Sequence, residues 1–175
     1  MRAGGAPIGR AVARLAAVGA ACVLALLGAF AAGGASAGES AADWTHALYQ
    51  HEISRRAAPE TLSDEAFLSV FAPAAREAWL AARHGPGPAS DGPILNAYFG
   101  WGVSPGQPVE LVTVEPLQDD GAAARIAVDL HIKGAARRVI VDERMVSGAW
   151  RIEDIAYPEG ESFLTHNRKC ASARC

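Results

Sequence analysis

Four extended segments follow one another in the second half of this chain with no helical pattern between them: "VELVTVEPL", "ARIAVDLHIK", "RRVIVDERMV" and "AWRIEDIAY". Strands so closely spaced pair as an antiparallel meander, because a parallel pair needs a crossover long enough to hold a helix. Helical patterns lie before them, so the fold class expected is α+β, with N-terminal helices packed on a curved antiparallel sheet. A length of 175 residues, 50% hydrophobic and 20% charged, suits one domain of this kind.

Three helices are expected ahead of the sheet. The first spans Ala42 to about Arg56, with Trp44, Leu48 and the stem of His51 or Glu52 one turn apart. Ser63 caps a short second helix, "DEAFLSVFA", with Asp64 and Glu65 in its first turn. The third, "PAAREAWLAARHG", has proline at its start and Gly85 past its end, and its apolar stripe is Ala75, Ala78, Trp79 and Ala82. The stretch "GPGPASDGPILNAYFGWGVSPGQP" is a long loop. A last short helix covers "ESFLTHNR".

Two tight turns align the sheet. With Gly134-Ala135 and Ser147-Gly148 as two-residue hairpin loops, Leu130 opposes Val139, Val128 opposes Val141 and Ile126 opposes Glu143. On the next pair Met145 opposes Trp150, Glu143 opposes Ile152 and Val141 opposes Asp154. These side chains share one face. The other face carries Arg125, Asp129, His131, Lys133, Arg138, Asp142, Arg144, Arg151 and Glu153, a solvated mixture of charge that makes His131 and Asp129 poor catalytic candidates. Glu143 and Asp154 are the misfits on the apolar face, diagonal to each other and about 8 Å apart at Cβ. Two such carboxylates require a cation or a raised pKa. Arg55, Arg76, Arg83 and His51 are the candidate partners. Asp154 is expected to be largely shielded and to hold the long loop or a helix arginine against the sheet.

The N-terminus reads as a signal peptide. Arg2, Arg10 and Arg14 precede an uncharged apolar run, and "ASA" ends at Ala37. The organisation expected is a leader over 1–37, one α+β domain over 38–168 and a polar tail over 169–175. The product is periplasmic or secreted, or membrane-anchored if uncleaved, since the run approaches the roughly 20 residues of a spanning helix. Loss of three arginines makes the remainder more acidic than the whole chain's formal −3. No basic patch remains, which argues against nucleic acid as a partner, and contact with a membrane is expected only during export. Cys170 and Cys175 form a candidate disulfide in an oxidising compartment; two free thiols in a frayed terminus are the alternative.

"GPILNAYFGWG", the "RRVIV" strand and the closing "GAWRIEDI" resemble a family of bacterial exported proteins that share a domain of unknown function, the DPFL-containing group. The resemblance runs from about Trp44 to Leu164. It implies a cystatin-like or nuclear-transport-factor-2-like cone, and implies fold more than activity. The chain departs from the family at its loop: Gly92-Pro93-Ile94-Leu95 stands where an Asp-Pro pair is expected, and Asn96-Ala97-Tyr98 where an Asn-Ala-Gln-Asp run is typical.

In such a cone the candidate pocket or ligand-orienting residues are Glu143, Asp154, Asn96, Tyr98 and Trp101. Trp44, Trp79 and Phe99 either line the mouth or pack the core, and Trp150 packs the core. No serine sits in a nucleophile elbow, no cysteine is expected in the folded core, and "GPGPASDGP" has prolines where a phosphate loop needs N–H groups. The dispersed histidines lack metal-ligand spacing, so no metal site and no cofactor are expected. The function expected is an exported, non-enzymatic binding or accessory domain for a small molecule or a protein. The alternatives are an immunity or interaction protein for a secreted toxin or envelope partner, and a small cone-fold enzyme that uses a buried carboxylate as base.

Overall fold

The structure is a computed structural model that describes residues 38–57, 63–85, 97–101, 103–104 and 106–172. These belong to one compact unit. Helices α1 (Ala41–Ala57), α2 (Asp64–Leu68) and α3 (Pro73–Arg83) come first. Strands β1 (Val109–Asp119), β2 (Ala123–Ile132), β3 (Ala135–Val146) and β4 (Ala149–Ala156) follow, then α4 (Phe163–Ala171). The strands form an antiparallel sheet in the order β1-β2-β3-β4. The α+β class and the meander are as expected, and among the described residues no helix is long and apolar enough to cross a membrane.

Local chemistry explains the elements. Ser40 opens α1: its Oγ accepts the Asp43 N–H at 3.1 Å and donates to the Asp43 carboxylate at 2.7 Å. Ala41, Trp44, Thr45, Leu48, Tyr49 and Glu52 are buried along α1, a stripe with the 3.6-residue period. Thr45 and Tyr49 belong to it although the sequence reading passed over them. Ser63 caps α2 as expected, but that helix ends at Leu68. Residues 70–72 instead run beside β4: Ala72 N–H donates to the Ile152 carbonyl at 2.8 Å, and Ile152 N–H to the Val70 carbonyl at 2.9 Å. This covers one sheet edge. The other edge, β1, carries Pro116 and two register shifts, features suited to an unpaired edge.

The register differs from expectation in two places. The β2–β3 loop is Lys133-Gly134, not Gly134-Ala135, so Ile132 opposes Ala135. Both central residues have positive φ, 53° and 79°, the left-handed pair that a tight hairpin turn requires, with glycine second. Partners therefore slip by two residues while every side chain keeps its face: Ile126 opposes Val141, Val128 opposes Val139 and Ala124 opposes Glu143. The β3–β4 loop, Ser147-Gly148, is as expected, with Met145 opposite Trp150 and Glu143 opposite Ile152. Past that point a bulge intervenes. Asp142 opposes Asp154, and Val141 opposes Ile155 rather than Asp154. The extra residue, Glu153, turns Asp154 off the apolar face and buries Ile155 in its place.

The covered face holds Ile126, Val128, Leu130, Val139, Val141, Trp150, Ile152 and Ile155, all buried. Trp44 and Trp79 are likewise core residues. The opposite face is the expected ladder of charges. Arg138 makes two bonds to Asp129, at 2.6 and 2.7 Å, Arg144 pairs with Glu153, and Arg125 lies 3.6 Å from Asp142.

Candidate functional site

Glu143 and Asp154 do not form a pair. Glu143 lies on the covered face, only 1% exposed, with its Oε1 on the hydroxyl of Thr45 in α1. Two of the expected cations are engaged elsewhere: Arg55 bonds Glu52 and Arg83 bonds Asp64. Burial pushes the Glu143 carboxyl up to about 8, with Asp119 and Asp142 adding to the effect and the Thr45 contact opposing it. The Thr45 hydroxyl has one hydrogen and two acceptors in reach, Glu143 Oε1 and, at 2.9 Å, the Ala41 carbonyl. Protonation of the buried carboxyl lets both contacts be satisfied, the carboxyl donating to Thr45 and Thr45 to Ala41. The other Glu143 oxygen, Oε2, is buried with no hydrogen-bond partner among the described residues.

Asp154 is half-buried and serves α4. Its Oδ1 accepts the Leu164 N–H and its own neighbour's, Ile155, both at 2.8 Å. Ser162 takes the next orphan donor, the Thr165 N–H, at 3.2 Å. Two side chains thus satisfy the first turn of α4. The expectation that Asp154 holds the long loop or an arginine is corrected: it holds the start of a helix, and the bulge at Glu153 puts it there.

Tyr98 and Trp101 separate as well. Tyr98 is buried in an aromatic cluster, with ring centroids 6.0 to 6.3 Å from Tyr49, Phe67, Phe71 and Phe99. Burial raises its hydroxyl pKa and those of Tyr49 and Tyr157. Tyr49 Oη donates to the Tyr98 carbonyl at 2.9 Å and Tyr157 Oη to the Ala97 carbonyl, so two buried phenols clamp this loop from inside. Phe99 is buried beneath Arg56, whose guanidinium sits 4.8 Å above its ring. Trp101 is half-buried and meets the His166 ring edge-on at 4.4 Å. Asn96 lies outside the described residues. So does Cys175, whereas Cys170 is disulfide-bonded, buried and part of α4. The expectation that no cysteine lies in the core is thus overturned, and α4 extends beyond the expected domain end at residue 168.

The charged face offers what the covered face lacks. An open cleft of about 540 Å³ is lined by Arg125, Asp142, Glu153 and Asp154 from the sheet and by Leu164 and Arg168 from α4, with Ala72 and Ala74 closing one side. Glu143 borders it too, but its Oε1 is held by Thr45 on α1. The Asp142 carboxyl is raised, first by desolvation, with Asp154 and Glu153 adding to it and Arg125 opposing. Arg168 is exposed, and among the described residues its guanidinium forms no ion pair. The cleft therefore combines crowded carboxylates with an uncommitted cation. No protein-family model matches the sequence, and no curated protein matches it.

Proposed function

We propose that this chain is an exported, non-enzymatic binding domain whose ligand is a small dipolar molecule held in the cleft on the charged face. The observation that carries the reading is the cleft itself: three carboxylates and two arginines around about 540 Å³, with Arg168 in no ion pair among the described residues. A ligand anion pairs with Arg168. A ligand ammonium relieves the repulsion that Asp142 meets from Asp154 and Glu153. Free amino acids and short peptides with free termini have this chemistry. The role of Glu143 supports a binding domain over an enzyme, since its titrating oxygen is committed to Thr45 within the helix–sheet interface.

The cystatin-like or nuclear-transport-factor-2-like cone is part of the proposal, supported by a long helix laid on an antiparallel sheet. In this reading the aromatic side chains fill the cone and the ligand site has moved to the sheet's other face. Calorimetric titration with free amino acids, and with their N-acetylated and amidated forms, tests it. Binding that weakens about tenfold when either charge is blocked supports the reading, and binding indifferent to both blocks opposes it. Export is tested separately. Protein from the envelope fraction should have the intact mass of a chain starting near Gly38; a full-length cytoplasmic chain contradicts it.

A further inference from the structure

A second cleft, of about 350 Å³, opens at the far end of β2. The cleft on the charged face meets that strand at Ala123 and Ala124, and this one meets it at Ile132, about 30 Å along an extended chain. The β2–β3 hairpin supplies Ile132, Lys133, Arg137 and Arg138 to its walls, the loop before β1 supplies Trp101, Val103 and Gln107, and Pro158 follows β4. The loop is tied in place. The Ser104 carbonyl accepts the Gln107 N–H at 3.2 Å and Arg56 Nη2 at 2.7 Å, and Lys133 N–H donates to the Pro108 carbonyl at 3.3 Å. Three cations line this space, and among the described residues its lining holds no carboxylate. Arg138 is held by Asp129, and Arg137 Nη2 donates to Glu159 at 2.8 Å. Lys133 forms no ion pair among the described residues. Two polar atoms of the lining side chains are also left over. Arg137 Nε, a donor, and Gln107 Oε1, an acceptor, are shut off from bulk water and have no hydrogen-bond partner among the described residues. Each such group costs free energy until something satisfies it.

We propose that this cleft is a second binding site, which takes a carboxylate with a neutral N–H beside it, as at the C-terminal residue of a peptide or in an N-acylated amino acid. Lys133 draws the carboxylate in, and Arg137 Nε donates to it, a charge-assisted bond that a neutral ligand cannot match. The amide N–H next to the carboxylate donates to Gln107 Oε1. One ligand thus brings both the acceptor and the donor that these two side chains lack, and a small rotation of each brings its shielded atom to the ligand. An ammonium in place of the amide is repelled by the three cations, which separates this site from the cleft that holds Asp142 and Arg168. The ligand's apolar side chain lies against Trp101, Val103, Ile132 and Pro158. Trp101 is half-buried, so part of its ring is open to such a contact. A volume of about 350 Å³ stands near the lower end of small-molecule pockets, roughly 300–1,000 Å³, and encloses a single residue rather than a longer segment.

The test is backbone amide NMR of the full chain titrated with N-acetyl-leucine. Shifts are expected at Trp101, Gln107, Lys133 and Arg137, without shifts at Asp142 or Arg168. N-acetyl-leucinamide, which lacks the anion, should bind about tenfold more weakly or worse. Isocaproate, which lacks the N–H, should bind about fivefold more weakly. Lys133→Asn removes the cation with a residue that tolerates the left-handed turn, and should weaken N-acetyl-leucine about tenfold. In Gln107→Met the advantage of N-acetyl-leucine over isocaproate should vanish. Should Gln107→Met fail to fold, the three compounds compared on the wild type decide. Absence of shifts at the four residues with millimolar N-acetyl-leucine, equal binding of the acid and its amide, or unchanged affinity in Lys133→Asn overturns the proposal. The probe carries no ammonium, so these outcomes leave the reading of the first cleft standing or falling on its own titration.

Discussion

Thr45 and Glu143 share one hydrogen bond across the interface between α1 and β3, with the Ala41 carbonyl also within reach of the Thr45 hydroxyl. Burial of the carboxyl in this interface favours the protonated acid. The unfolded chain loses this proton near the ordinary value of 4.5, while the folded chain keeps it to about 8. The folded state then binds more protons across that window, and this group's contribution to stability is full below it and lost as pH rises through it. Glu143→Gln keeps the shape and the ability to donate to Thr45 but cannot ionise. Between pH 5 and pH 7 the wild type should lose on the order of 3 kcal/mol relative to this variant. Denaturant melts of both proteins at the two pH values check it. A difference that stays constant with pH would mean that Glu143 is already ionised in the fold.

Asp154 gives a second, smaller prediction. Its Oδ1 accepts two backbone N–H groups, from Ile155 and Leu164. Asp154→Ala strips a donor at the start of α4 of its partner and should cost about 1 to 2 kcal/mol. Asp154→Asn retains an accepting oxygen and should cost less than half as much. Urea denaturation of the pair distinguishes this capping role from pairing with a buried cation, for which Asn would be as damaging as Ala.

Gly100 sits where the clamped loop passes the sheet. A Cβ there would stand 2.5 Å from Arg137 Nη2 and 2.8 Å from Tyr157 Cδ1, and its φ is +79°. The arginine end can shift, but the Tyr157 ring is buried and cannot yield. Gly100→Ala should therefore destabilise by about 2 kcal/mol or more, combining backbone strain with overpacking. Thermal unfolding checks the loss, and an unchanged midpoint would mean the loop is not held against Tyr157.

Much of this architecture was legible because periodicity reports burial. The meander, the three leading helices, the Ser147-Gly148 turn and the core tryptophans all follow from spacing. The bulge at Glu153 was written there as well, but differently. Trp150, Ile152 and Ile155 are buried, at intervals of two and then three, and the lengthened interval is the inserted residue. Reading strict alternation through it put Asp154 on the wrong face and created a false carboxylate pair. Lys133-Gly134 was misplaced by one residue because a lysine with positive φ is uncommon and only the glycine signalled the turn. Thr45 was hidden because a polar residue on a helix defaults to the solvent side. The contact of Cys170 Sγ with His166 Nε2, at 3.2 Å, could have been found, since His166 precedes it by one helical turn. The last segment read instead as a polar tail, because basic residues in the final turn of a helix resemble those of an unstructured end.

The ligand site proposed lies on the charged face of the sheet and not within the aromatic interior. Backbone amide NMR of the folded chain, titrated with a free amino acid, tests this directly. A ligand in the cleft should shift Arg125, Asp142, Glu153 and Arg168, with little change at Tyr49, Tyr98 and Phe99 and loss of the response in Arg168→Ala. Shifts centred on Tyr49, Tyr98 and Phe99 that persist in Arg168→Ala would contradict it.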